Sequence, residues 1–175
     1  SGGKSITRSL ATLAYDCRRS AFFTNELIHA LKIIDRGDMS AAEMRGGWAG
    51  EIGPMQFLPS SYIKYAIDFD GNGRPDLALT RATVNEVMIA LNAGAGFPAA
   101  SSVPLADLPT ALATGDVDGD GDLDLVAASA SGLNLSVLLN TAGVFAFNRS
   151  VALTHRPAGV ATADFDGDGE TDIAV

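Results

Sequence analysis

The run Asp116-Val117-Asp118-Gly119-Asp120-Gly121-Asp122-Leu123-Asp124 decides how the second half of this 175-residue sequence is to be read. Carboxylates occupy its first, third, fifth and ninth positions. The pattern recurs 48 residues upstream as Asp68-Phe69-Asp70-Gly71-Asn72-Gly73-Arg74-Pro75-Asp76 and 48 residues downstream as Asp164-Phe165-Asp166-Gly167-Asp168-Gly169-Glu170-Thr171-Asp172. Oxygen donors spaced in this way suit a hard cation, which takes six to eight oxygens at roughly 2.3–2.6 Å. Glycines at positions four and six reach positive φ without a Cβ clash, so the backbone can fold around an ion.

Calcium is therefore the expected cofactor. The side-chain ligands expected are Asp68, Asp70, Asn72 and Asp76 in the first loop, then Asp116, Asp118, Asp120 and Asp124, then Asp164, Asp166, Asp168 and Asp172. The first half of each loop is similar to an EF-hand, but position 12, where that motif carries a bidentate Glu, holds Leu79, Ala127 and Val175. The ninth-position aspartates must then supply the last carboxylate, and the position-seven carbonyls of Arg74, Asp122 and Glu170 complete each ring.

Charge supports the same reading. The formal net charge is −9, yet residues 1–65 carry 8 Lys and Arg against 6 Asp and Glu. The remainder carries 4 against 15, and 13 of those 15 acids lie in the three loops. Acidity this localised is not a solvated acidic tail and argues against a nucleic-acid partner. Clustering so many carboxylates without a cation costs repulsion. The 47% hydrophobic content is that of a folded chain. No apolar run approaches the roughly 20 residues that cross a bilayer, so no membrane span is expected. Cys17 is the single cysteine, which excludes an intramolecular disulfide, and its apolar helical setting reads as a small buried hydrophobe.

Two domains are expected, residues 1–67 and 68–175, in a mixed α+β chain. In the first, Leu10, Leu13 and Ala14, then Phe23, Leu27, Leu31 and Ile34, recur at helical steps. Gly37 stops the second helix. Ser40 and Glu43 form a capping box that predicts a short helix ending at Gly46-Gly47. Pro59 fits the first turn of another, Ser60–Ile67. Beyond Asp68 the pattern turns to short strands at 78–79, 87–91, 125–127, 135–139 and 160–162. The 48-residue period extends past the loops, matching Asn92 with Asn140, Phe97 with Phe145 and Pro109 with Pro157. Such a period marks stacked or radial repeats of about four strands each. With two full periods and a part of a third, an open sheet edge is expected to be available for self-association.

The loops, their following strands and the hairpins Gly96-Phe97 and Gly143-Val144-Phe145 resemble FG-GAP/VCBS repeats across 68–175. That resemblance implies calcium-binding blades of an integrin-type β-propeller, in this case partial. Upstream, Leu10-Ala-Thr-Leu-Ala-Tyr15, Arg18-Arg19 and Phe22-Phe23 are followed by Trp48-Ala-Gly-Glu51-Ile-Gly-Pro-Met-Gln56-Phe-Leu-Pro59-Ser60-Ser61-Tyr62. Together they resemble the membrane-bound lytic transglycosylase B family over roughly residues 7–77. The resemblance implies a lysozyme-like helical fold, peptidoglycan glycan strands as partner, and a place in the cell envelope, periplasmic or extracellular. It also implies cleavage of the MurNAc–GlcNAc bond by one glutamic acid, and sugar contacts from Gln56, Ser60, Ser61 and Tyr62.

The family's catalytic Glu lies upstream of the Leu10–Tyr15 segment, so residues 1–175 are expected to lack it. Glu51, inside the groove motif, is the remaining candidate acid. Glu26 reads as a solvent-facing helix charge, and His29 and His155 stand too far apart in sequence to suggest a metal pair. Two functions follow: a peptidoglycan lytic transglycosylase-like fragment joined to calcium-binding repeats, or a non-catalytic, calcium-stabilised binding or adhesion module.

Overall fold

Ser5 opens the first helix by accepting a hydrogen bond from the N–H of Arg8. The computed structural model describes residues 3–16, 19–47, 49–52, 57–81, 83–94, 97 and 100–175. The chain divides into two compact units. One comprises Ser1–Ile67, Gly73–Leu77 and Leu91–Ala99; the other comprises Asp68–Asn72, Ala78–Ala90 and Ala100–Val175. The passage from helical to strand grammar at residue 68 is thus also where the chain begins to alternate between units. Residues 68–72 of the first acidic loop fall in the second unit and 73–76 in the first.

In the first unit, β1 (Lys4–Ser5) leads directly into α1 (Ile6–Tyr15), and α2 (Ser20–Asp35) follows. Gly37, at φ +80°, ends α2 with its N–H on the Ile34 carbonyl and the Asp38 N–H on the Ile33 carbonyl. This is a Schellman closure, and glycine supplies the left-handed residue that it needs. The buried face of α2 is Glu26, Ala30 and Ile33, while Phe23, Leu27 and Ile34 flank it half-buried. Leu31, expected on the apolar face, is 52% exposed. The core joins these to Ile6, Leu10, Met39, Met44, Ile52, Tyr62 and Leu77.

The capping box forms, with the Ser40 N–H donating to Glu43 Oε2 at 2.8 Å and the Glu43 N–H to Ser40 Oγ at 3.3 Å. The helix expected after it does not, because only a turn spans 41–43 before the chain enters β2 (Arg45–Gly46). β2 pairs antiparallel with β1, Lys4 opposite Gly46 and Ser5 opposite Arg45, and this pairing claims the backbone a helix would have used. Pro59 begins α3 (Pro59–Tyr65) as expected of a residue lacking the donor N–H. The helix stops two residues short of Ile67, whose N–H and carbonyl both bond to Asp76, at 3.0 and 2.7 Å.

The strands form separate antiparallel sheets. A three-stranded one runs β3 (Leu77–Arg81), β4 (Glu86–Ala90), β5 (Ser101–Pro104). A four-stranded one runs β6 (Ala111–Gly115), β7 (Asp124–Ser129), β8 (Asn134–Thr141), β9 (Val144–Ala152), and β10 (Ala161–Ala163) pairs with β11 (Asp172–Ala174). The four-stranded sheet is one full repeat, as the period implied. The expected propeller-type arrangement is met only this far: among the described residues the sheets are distinct and no closed propeller forms. All six residues of β7 are buried, against eight exposed of the nine in β9. Val126, Ala128 and Leu135 form a buried cluster, with Ala111, Val117, Leu153, Val160 and Ile173 packed against it. No helix among the described residues is long and apolar enough to cross a membrane.

Gly50 tests the helical core. Its φ is +93°, and a Cβ there would lie 2.2 Å from Leu10 Cδ2. Gly50→Ala should therefore cost about 1–3 kcal/mol by overpacking, with backbone strain added. Urea unfolding reads this out, and a loss under about 0.5 kcal/mol, the ordinary range for a neutral surface change, would contradict the packing described.

Candidate metal centres

Asp116 Oδ1 accepts the N–H groups of Gly119 (2.8 Å) and Asp120 (3.1 Å), and its Oδ2 that of Gly121 (3.0 Å). Asp118 accepts from Asp120, and Asp120 from Asp122. The third loop repeats this residue for residue: Asp164 takes Gly167, Asp168 and Gly169, Asp166 takes Asp168, and Asp168 takes Glu170. Both loops place their two glycines at φ between +79° and +93°, the conformation for which glycine was expected at positions four and six. These bonds fix the side chains before any ion arrives.

The result is a gathered set of acids. One carboxylate oxygen from each of Asp116, Asp118 and Asp124 lies within 4.8 Å of the others, and Asp164, Asp166 and Asp172 form the same group. The fifth-position Asp120 and Asp168 are outside these triads, and each accepts the N–H two residues on, as Asp118 and Asp166 also do. Asp122, expected through its carbonyl, also accepts from the Ala142 N–H through Oδ2 at 2.8 Å. The first loop is described in two halves. In Asp68–Asn72, the Asn72 N–H donates to Asp68 and Asp70 and its amide donates to Asp70 Oδ2 at 2.9 Å. Arg74 and Asp76 belong to the helical unit, where Asp76 is fully buried.

The ninth residue joins each loop to its sheet. Asp124 is the first residue of β7 and Asp172 the first of β11. Asp124 Oδ2 accepts from the Val117 N–H at 2.9 Å and Oδ1 from the Asn140 N–H at 2.8 Å. Asp172 accepts likewise from Phe165 at 3.0 Å. Burial pushes the Asp124 carboxyl above the usual range; those two N–H groups oppose the shift, and the nearby charges of Asp118 and Asp120 add to it. A divalent cation is the group that reverses such a balance. The oxygen-only donor set fits a hard ion such as calcium, and lacks the nitrogen and sulfur that zinc prefers.

Gln56 lies outside the described residues, as do Cys17, Trp48 and Gly96. Ser60 gives its hydroxyl to Glu26 Oε1 at 2.7 Å and its N–H to Glu26 Oε2 at 3.0 Å. Glu26 is therefore no solvent-facing charge: it is 3% exposed, buried under the first turn of α3. Sequence reasoning missed the pair because its members are 34 positions apart. Ser61 is half-buried. Tyr62 is fully buried, its ring edge-on to Phe97 at 6.1 Å and its hydroxyl donating to the Pro75 carbonyl at 3.0 Å. Burial, with the negative charge of Asp38, raises the phenol far above its ordinary value, so it remains a donor. Glu51 is half-buried, its Oε2 2.2 Å from where a Cβ on Gly47 would lie.

Comparison with known proteins agrees with both halves. Residues 1–84 match the Transglycosylase SLT domain, and residues 68–127 and 116–175 each match the FG-GAP-like repeat. Membrane-bound lytic murein transglycosylase B of Escherichia coli (strain K12) is 38% identical over 77 residues, 43% of this chain and 21% of that protein. The chain thus spans about a fifth of the length of this relative. Among solved structures, SltB3 from Pseudomonas aeruginosa in complex with NAG-anhNAM-pentapeptide is 50% identical, covering 41% of this chain and 19% of its own, at a TM-score of 0.40. Escherichia coli lytic transglycosylase Slt35 in complex with calcium is 20% identical, covering 81% and 52%, also at 0.40.

The Glu26–Ser60 pair is open to a double-mutant cycle. Glu26→Gln should cost about 1.5–3 kcal/mol, since two bonds to a carboxylate are weakened. In a Ser60→Ala background the loss should fall by about half, because one of the two bonds is already gone. Equal losses in both backgrounds would show that the carboxylate does not act through the Ser60 hydroxyl.

Proposed function

We propose, since the chain belongs to the FG-GAP-like repeat family through residues 68–175, that its repeats hold calcium and present a partial lytic-transglycosylase domain to peptidoglycan glycan strands in the cell envelope. The observation that carries the calcium reading is the pair of aspartate triads in the second and third loops, built by the same hydrogen bonds one period apart. The first loop shares their sequence and is assigned the same ion. Asp68, Asp70, Asn72 and Asp76 are its ligands, with the Arg74 carbonyl. Calcium in these loops is structural: it neutralises the acids and secures each loop to its strand.

The glycan reading rests on the Transglycosylase SLT domain match over residues 1–84. Gln56 and Ser61 are assigned as sugar contacts. Ser60 and Tyr62 complete the set expected to contact sugar, although Ser60 donates its hydroxyl to Glu26 and Tyr62 is buried in the core. Cleavage needs a carboxylic acid beside the glycosidic oxygen, and Glu51 is the residue of this chain nearest to that role in the motif. The commitment of Ser60 and Tyr62 to internal packing favours a second reading, a calcium-stabilised binding or adhesion module without turnover.

Thermal melting with calcium and with chelator tests the first claim. At 100 times Kd one site stabilises by about 2.7 kcal/mol, which at about 2–4 °C per kcal/mol is a rise of roughly 5 °C or more. Combined Asp116→Asn and Asp164→Asn substitutions should remove most of it, and a calcium-loaded sample whose melting curve ignores chelation would overturn the reading. Incubation with purified sacculi separates the two functions. Release of 1,6-anhydro muropeptides, lost in Glu51→Gln, identifies an active enzyme; pull-down without release identifies a binding module.

A further inference from the structure

Asn92 and Asn140 stand one period apart, and each makes the same three kinds of contact. The Asn140 N–H donates to Asp124 Oδ1 at 2.8 Å, and the Asn92 N–H to Asp76 Oδ1 at 2.6 Å. Each Oδ1 accepts a turn N–H of its own hairpin, from Gly143 at 2.8 Å and from Gly94 at 3.1 Å. Each Nδ2 then reaches a main-chain carbonyl far back in the sequence. For Asn140 this is Phe69, at 2.8 Å; for Asn92 it is Asp38, at 2.9 Å. Both asparagines are almost wholly buried, at 1% and 0% exposure.

An aromatic pair accompanies each contact. Phe145, five residues beyond Asn140, meets the Phe69 ring edge-on at 5.3 Å. Phe97, five residues beyond Asn92, meets the Tyr62 ring at 6.1 Å. Phe69 is 4% exposed beneath Phe145, whereas Phe165, at the same loop position one repeat pair later, is 59% exposed. Within the helical unit, the Asp38 carbonyl and the Tyr62 ring take the parts that the Phe69 carbonyl and ring take for Asn140.

We infer that Asn92 and Asn140 are coupling residues, each tying the ninth-position aspartate of a calcium loop to a main-chain carbonyl of an earlier segment, Asp38 for Asn92 and Phe69 for Asn140. The inference rests on the calcium reading, because the carboxylate each asparagine bonds is the one its loop offers to the ion. An ion that fixes Asp76 orients the Asn92 N–H and, through the same side chain, its bonds to the Asp38 carbonyl and, at 3.4 Å, to the hydroxyl of Tyr62 on α3. Calcium should therefore stiffen α3, which contributes no ligand to any loop. By reciprocity, loss of the Asn92 contact should weaken calcium binding by the same factor.

Hydrogen exchange of the full chain, with chelator and with saturating calcium, tests this. Calcium should slow exchange over 116–124, and over 59–65 by at least about fivefold, the lower end of ordinary site-to-site coupling. Asn92→Ala should abolish the slowing over 59–65 and leave that over 116–124. Asn92→Asp keeps the shape, removes the Nδ2 donor, and should behave alike. Slowing over 116–124 with none over 59–65 in the unaltered chain would overturn the coupling alone, as would its persistence in either variant. Absence of slowing over 116–124 would overturn the calcium reading and the coupling with it.

Discussion

A carboxylate with no solvent exposure, Asp124, closes the second loop at its base. Asp124 is 0% exposed, begins β7, and receives one N–H on each oxygen, from Val117 inside the loop and from Asn140 on the neighbouring strand. Buried charge of this kind is unfavourable unless it is hydrogen-bonded and paired. The two N–H groups supply the first condition, and the cation proposed for the loop would supply the second. Because the ninth loop residue is also the first strand residue, loop geometry and sheet register are set together. A displaced Asp124 would disturb the triad with Asp116 and Asp118 and the edge of β7 in one step.

Much of this is legible in the sequence. Spacing alone located the loops and the glycines at positive φ, and the apolar runs at 125–127 and 135–139 grew into β7 and β8. β9 was not legible, because eight of its nine residues are exposed and no alternation marks a buried face. Its existence depends on pairing with β8, which a local pattern does not encode. The Ser40–Glu43 box formed its bonds without a helix behind it, since the pairing of β1 with β2 outweighed a local preference. Tertiary context overrides propensity in short segments.

The candidate site divides along the same line. Positions one, three and nine of the second and third loops come together as their spacing implied, and the fifth-position acids accept the N–H two residues on, as the third-position acids do. Long-range partners were invisible: nothing near Glu26 points to Ser60, and nothing near Asn140 points to Phe69, 71 residues away. The 48-residue period did single out Asn92 and Asn140. It revealed their equivalence without their contacts, which only the folded chain supplies.

Crystals grown with calcium, with anomalous scattering recorded, test the central claim most directly. Ion density should appear inside the Asp116–Asp118–Asp124 and Asp164–Asp166–Asp172 triads, with oxygen ligands at about 2.3–2.6 Å. Triads without density at saturating calcium, their carboxylates turned outward to solvent, would contradict it.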